Sequence, residues 1–223
     1  MLGADGHRQR VLEKFLTYGG EIFADYELLE FILMQSIPRK DVKPLAKELL
    51  VSFGSLENVL NAPTDQLKQI KGVGERTIGL FHLMMTVSQK LTKERLKKAP
   101  ILSDWQSLLD YAQLTYMGEN IEKFRVLYLN RHYQLIHSEV HQTGTTNHVP
   151  VYPREILKRA LNVNASAVVL IHNHPSGEPL PSKDDLEVTK EIERLLSTIP
   201  IKMVDHLIIG ANKKVYSFRA HHL

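Results

Sequence analysis

Residues 166–174, SAVVLIHNH, constrain the fold of this chain more than any other segment. The apolar run from Ala167 to Ile171, rich in β-branched side chains, leaves no polar face. It therefore reads as a strand covered on both sides. Such a strand requires a sheet with helices above and below it. The neighbouring segments can supply them. Pro153 suits the first turn of a helix over PREILKRALNV, and a second helix is predicted over residues 182–197. Residues 124–130 (FRVLYLN) and 134–141 (QLIHSEVH) are strand-like and joined by a short polar link, the pattern of a hairpin. IKMVDHLIIG (201–210) and KVYSFRA (214–220) close as strands, and a helix across residues 104–116 precedes them all. The predicted architecture is a mixed-sheet α/β domain.

The first part of the chain has a different texture. Residues 8–98 read as helix after helix. Val11, Leu12, Phe15 and Leu16 share one face, and Asp25 is the expected N-cap of a helix carrying Leu28, Leu29, Phe31 and Ile32. Asp41 is the expected cap of the next, with Pro44 in its first turn and Gly54 after its end. Short helices follow from Ser55 and Thr64, then a long one from about Gly74 to Leu91, lined by Ile78, Phe81, His82, Met85 and Gln89. The expected organisation is a small all-helical domain over residues 1–100 and an α/β domain over 101–223, divided at Ala99-Pro100.

The chain has no cysteine, which excludes disulfides and thiolate metal sites. Any metal must be held by His, Asp and Glu, a donor set that suits zinc. No run approaches the roughly 18 apolar residues of a membrane span, and the N-terminus lacks the apolar core of a secretory signal. A cytoplasmic protein without a membrane partner is the expectation. The net charge of +3 does not by itself argue for nucleic acid. The basic run KERLKK (93–98) reads as a solvated helix end before it reads as a phosphate contact.

His172 and His174 stand two apart, so on a strand they face one way. Pro175, Gly177, Pro179 and Pro181 then turn the chain, and Asp185 falls in the first turn of the following helix. Two imidazoles and one carboxylate, with a fourth position for water, make the ligand count of a catalytic Zn2+ site. Each part has a plainer reading. Two histidines can simply end a strand beside a loop, and Ser182-x-x-Asp185 is a capping box with Asp in place of Glu or Gln. Their conjunction favours a ligand, because so apolar a strand has little reason to end in two same-facing imidazoles.

His172-Asn-His174-Pro, six residues, then Ser182-Lys-Asp-Asp185 resembles the H-x-H-P-x6-S-x-x-D pattern of the JAMM (MPN+) metalloproteases, with no gap. HNHPSG, the segment VPVYPREILKRALNVNASA, VDHLIIG, and the N-terminal ADYELLEFIL and RKDVKPLAKELL all resemble the bacterial RadC-like branch of that family. The resemblance implies a JAMM/MPN domain behind the helical one. It implies zinc on His172, His174 and Asp185, and a Ser182 that helps hold a tetrahedral intermediate. It implies Glu122 as general base, with Glu119, Glu139 and Glu155 as rivals by position. The implied activity is hydrolysis of an amide or isopeptide bond in a peptide or protein by zinc-activated water. Asp205-His206 reads equally as support behind a ligand or as a structural pair. Residues 143–146 read as a loop, and His221-His222 as an exposed tail.

LKQIKGVGERT (67–77) resembles a helix-hairpin-helix. Gly72 and Gly74 permit the tight turn, and backbone N–H groups at the next helix start can meet a DNA phosphate, assisted by Lys71 and Arg76. Ile78 stands where such motifs usually carry a small residue. A plain packing role fits the same residues, and any DNA contact would be weak and non-specific. The competing functional reading is a DNA-associated repair or recombination factor with a structural or vestigial zinc site.

Overall fold

A computed structural model of the chain describes residues 4–116, 119–143, 151–175, 177–210 and 214–221. It divides into two compact units, Met1–Val87 and Ser88–Leu223. The first holds α1 (Ala4–Tyr18), α2 (Asp25–Ser36), α3 (Lys43–Phe53), α4 (Leu56–Asn61), α5 (Thr64–Gln69) and the start of α6 (Glu75–Lys98). Leu29, Leu33, Ala46, Leu49, Val59, Leu67 and Phe81 form its fully enclosed core.

Two expected caps sit one residue from their predicted places. Asp25 is the first helical residue of α2, and the N-cap is Ala24, whose N–H donates to Glu27 at 3.0 Å. Glu27 thereby makes the reach-back bond of a capping box. Asp41 accepts from the N–H of Lys43 at 3.0 Å, ahead of the N-cap Val42. The end of α2 is closed from a distance: Arg8 donates to the carbonyls of Met34 and Ile37 at 2.7 Å and of Lys40 at 3.0 Å. These include carbonyls that a helix C-terminus leaves unpaired.

Helix α6 ends at Lys98 rather than Leu91. Leu96, inside the basic run, is 1% exposed and lies in the core of the second unit with Ile101 and Leu108. The compact units divide between Val87 and Ser88, within α6, and Ala99-Pro100 follows the end of that helix.

The second unit continues with α7 (Trp105–Tyr116), β1 (Lys123–Leu129), β2 (Leu135–Thr143), α8 (Pro153–Asn162), β3 (Ala167–Asn173), α9 (Lys183–Ser197), β4 (Lys202–Ile209) and β5 (Val215–Ser217). The sheet order is β2-β1-β3-β4-β5. Only β3 and β4 are parallel, joined through α9; the other neighbours are antiparallel. This is the mixed sheet that the pattern predicts, and all seven residues of β3 at its centre are buried. Val169, Ile171, Leu127 and Leu207 share one core with Leu108 and Tyr111 of α7. Val168, Leu170, Val126 and Tyr128 share another with Ile156 of α8 and Ile192 of α9. Among the described residues, no helix is long and apolar enough to cross a membrane.

Three strand ends differ from expectation. His174 lies one residue past β3, although its N–H still donates to the Ile209 carbonyl at 2.8 Å. β5 covers only Val215–Ser217, and Arg219–His221 forms a 3-10 turn. His221 folds back to stack on Tyr216, centroids 4.1 Å apart, and donates from Nδ1 to the Ser217 carbonyl. Thr143 ends β2; residues 144–146 and His222 lie outside the described residues.

Beyond β4, the loop leading from β3 to α9 crosses Gly210 closely. A Cβ there would stand 2.5 Å from the Gly177 carbonyl oxygen and 2.8 Å from the Pro179 nitrogen. Gly210→Ala should therefore destabilise the second unit by about 1–3 kcal/mol, the usual cost of overpacking. Gly79, exposed within α6, has nothing within 4 Å of such a Cβ. Gly79→Ala should stabilise by about 0.5–1 kcal/mol. Urea unfolding of the two variants should show shifts of opposite sign.

Candidate metal centre

Strand alternation sends His172 and His174 to one side, and α9 presents Asp185 to them from its first turn. His172 Nε2 lies 3.0 Å from His174 Nε2 and 3.1 Å from Asp185 Oδ1, and His174 Nε2 lies 3.4 Å from Asp185 Oδ2. Ser182 is the N-cap of α9. Its N–H and Oγ donate to Asp185 Oδ2 at 2.7 and 2.6 Å, and its Oγ accepts from the Asp185 N–H at 3.1 Å. The capping box thus fixes the carboxylate that faces the histidines.

The protons on these rings follow from counting donors. Thr189 has one hydroxyl proton, donated to the Asp185 carbonyl at 2.5 Å. Its oxygen must therefore accept from His206 Nδ1–H at 2.6 Å. His206 is wholly enclosed, and that burial holds its pKa well below the usual imidazole range. The neutral ring offers its Nε2 lone pair to His172 Nδ1–H at 2.7 Å. His172 Nε2 is then a bare lone pair. The Nδ1–H of His174 donates to the Glu178 carbonyl at 3.3 Å, which leaves its Nε2 as an acceptor too.

Two imidazole nitrogens and a carboxylate therefore converge, a donor set that can hold a cation. The ligand atoms of a tetrahedral zinc with bonds of about 2.0–2.1 Å stand roughly 3.3 Å apart. The observed separations lie close to that value, and the imidazole-carboxylate donor set suits zinc.

Glu122, just before β1, brings a carboxylate to the same place: one donor atom each of Glu122, His172 and His174 lie within 4.8 Å of one another. Its rivals are engaged elsewhere. Glu119 pairs with Lys123 at 2.6 Å, Glu139 with Arg159 at 2.6 Å, and Glu155 with Arg154 at 3.3 Å. The pair Asp205-His206 divides: His206 backs His172, whereas Asp205 accepts from Ser217 Oγ at 2.5 Å and from the backbone of Arg219 and His206. Burial raises the Asp205 pKa despite those donors. Sequence reasoning missed Thr189; its only signal is a position four residues after Asp185, on the same helix face.

In the helical unit, the hairpin between α5 and α6 leaves Lys71, Gly72, Gly74 and Arg76 all exposed. Gly72 takes φ +99°, a conformation that favours glycine. Ile78 is buried in the core of its own unit.

Comparison with known proteins gives matches over nearly the whole chain. Residues 102–223 match the RadC-like JAB domain, and residues 6–78 match the UPF0758 N-terminal family. The chain is 46% identical over 214 residues to a UPF0758 protein of Ruegeria pomeroyi, covering 96% of this chain and 95% of that one. It is 47% identical over 208 residues to a UPF0758 protein of Rhodobacter capsulatus, covering 93% and 97%.

Without metal, the cluster holds protons instead. Burial alone would raise Asp185, but hydrogen bonds from His172 and His174 hold it well below its ordinary 3.8. Burial likewise pulls His174 down, but the bond to Asp185 and its charge carry it above the ordinary 6.5. The His174 contribution to stability is complete below 6.5 and lost as pH rises through its raised folded value. The Asp185 contribution is complete above 3.8 and lost as pH falls below it. The Tm difference between metal-free wild type and His174→Ala should thus be greatest between about pH 4 and 6.5 and shrink on either side.

Proposed function

Because the chain belongs to the RadC-like JAB-domain family, we propose that it is a zinc-dependent hydrolase of amide or isopeptide bonds acting on a peptide or protein. The observation that carries this reading is the convergence of His172 Nε2, His174 Nε2 and the Asp185 carboxylate, with Glu122 beside them. Bound zinc lowers the pKa of a coordinated water towards about 7 and polarises a carbonyl. Glu122 takes the proton of the attacking water and returns it to the leaving amine. His206 and Thr189 hold His172 in the tautomer that ligates. The Ser182 hydroxyl has one proton, now given to Asp185. To steady an oxyanion it must turn that proton from the carboxylate, while its oxygen goes on capping α9 by accepting from the Asp185 N–H.

A second reading concerns the helical unit, and the exposure of Lys71, Gly72, Gly74 and Arg76 around the hairpin supports it. The hairpin would touch DNA phosphates weakly and without sequence preference. This role is compatible with hydrolysis. The alternative of a repair or recombination factor with a structural or vestigial zinc site explains the hairpin, but a vestigial site gives no reason for an intact set of converging donors, and a structural one gives none for the Glu122 carboxylate beside them.

Elemental analysis should find about one zinc per chain in wild type, and little in His174→Ala or Asp185→Ala. Glu122→Gln should keep its zinc and cleave a peptide or isopeptide library about 10²–10⁴-fold more slowly. Folded wild type that takes up no zinc, or a Glu122→Gln variant as active as wild type, would end the hydrolase reading. For the hairpin, duplex binding carried by Lys71 and Arg76 should weaken with salt at a log–log slope of about −2. A flat salt response, or no binding at low salt, removes that role.

A further inference from the structure

Asn173 lies between the two histidines, and alternation turns it away from the side that they share. It is 3% exposed, and both ends of its carboxamide are bonded. Oδ1 accepts from the N–H of Lys123 at 2.9 Å, and Nδ2 donates to the carbonyl of Ile121 at 3.1 Å. Only one orientation of the amide satisfies both partners. The two backbone groups belong to the peptide planes on either side of the Glu122 Cα. The β1–β3 ladder runs only to Phe124 opposite His172, so the side chain replaces main-chain pairing just beyond the ladder's end.

From this bracket we infer that Asn173 is a positioning residue for Glu122, holding the backbone that aims its carboxylate at His172 and His174. The inference rests on the reading of Glu122 as the site's base. Holding both planes limits φ and ψ at residue 122 to one combination, which a single bond would not do. The task needs one donor and one acceptor on a short, stiff side chain. Aspartate keeps the acceptor but sets a negative oxygen against the Ile121 carbonyl, and alanine keeps neither. One short strand end thus supplies two ligands and the support for the base, pointing in opposite directions.

The test follows the Glu122 carboxyl carbon by NMR in protein labelled at the glutamate side-chain carboxyl, the signal being assigned by its loss in Glu122→Gln. Zinc is added to one equivalent. In wild type the Glu122 resonance should move on zinc addition. In Asn173→Ala, zinc should still bind at one per chain, while that movement shrinks at least threefold. The Lys123 amide should also lose protection from hydrogen exchange, while Val126 and Leu170 keep theirs. A full-sized zinc response in zinc-bound Asn173→Ala overturns the inference. If the wild-type signal ignores bound zinc, the reading of Glu122 as base fails, and the inference fails with it. Should Asn173→Ala hold no zinc, Asn173→Asp takes its place under the same criterion.

Discussion

A strand enclosed on both faces can carry a polar side chain only where every donor and acceptor is met, because an unpaired buried polar group costs several kcal/mol. β3 is such a strand, and its last residues are the ones that the site depends on. His172 is enclosed and meets His206, His174 and Asp185; Asn173 is enclosed and meets the β1 backbone. Each partner is drawn from a different element: β4 supplies His206, α9 supplies Asp185, and the entry to β1 is held by Asn173. Satisfying the end of one apolar strand therefore constrains three neighbouring elements at once.

Charge follows the same logic. His206 stays neutral because it is buried against a ring that must itself give up a lone pair, and Thr189 directs its proton away from the site. The result is a cluster whose imidazoles and carboxylate face one another, in surroundings where an unmatched charge is costly. Asp205, next in the chain, serves another purpose. Its side chain ties β4 to Ser217 at the end of β5 and to the 3-10 turn beyond, which keeps the far edge of the sheet in register.

What was legible from sequence was whatever repeats with a period or stands at a fixed spacing. The apolar run of β3, the hairpin of β1 and β2, the cap of α9 and the H-x-H spacing all have that property, and they place the sheet and bring the metal-binding side chains together. Other features have no such signature. Leu96 sits among lysines and an arginine, so its burial in the second unit is hidden by its neighbours, and a division inside a continuous helix leaves no mark in composition. Asp25 and Asp41 differ from their predicted roles by one residue because nearby donors and acceptors compete within a single turn. Four glutamates look alike in the chain; their pairing with Lys123, Arg159 and Arg154, or proximity to the histidines, is a property of the folded state. Asn173 had the least signal of all, since its partners lie about 50 residues earlier.

That last separation bears on the order in which the site can be assembled. His172, His174 and Asp185 lie within a single strand–loop–helix segment, whereas Glu122 joins them only after a long-range closure. Closures between distant residues come late and slowly, because the chain entropy they cost must be met before their contacts form. A chain caught before β1 docks would bring His172, His174 and Asp185 together without Glu122, so on the proposed reading the ability to cleave would arrive only with the completed sheet.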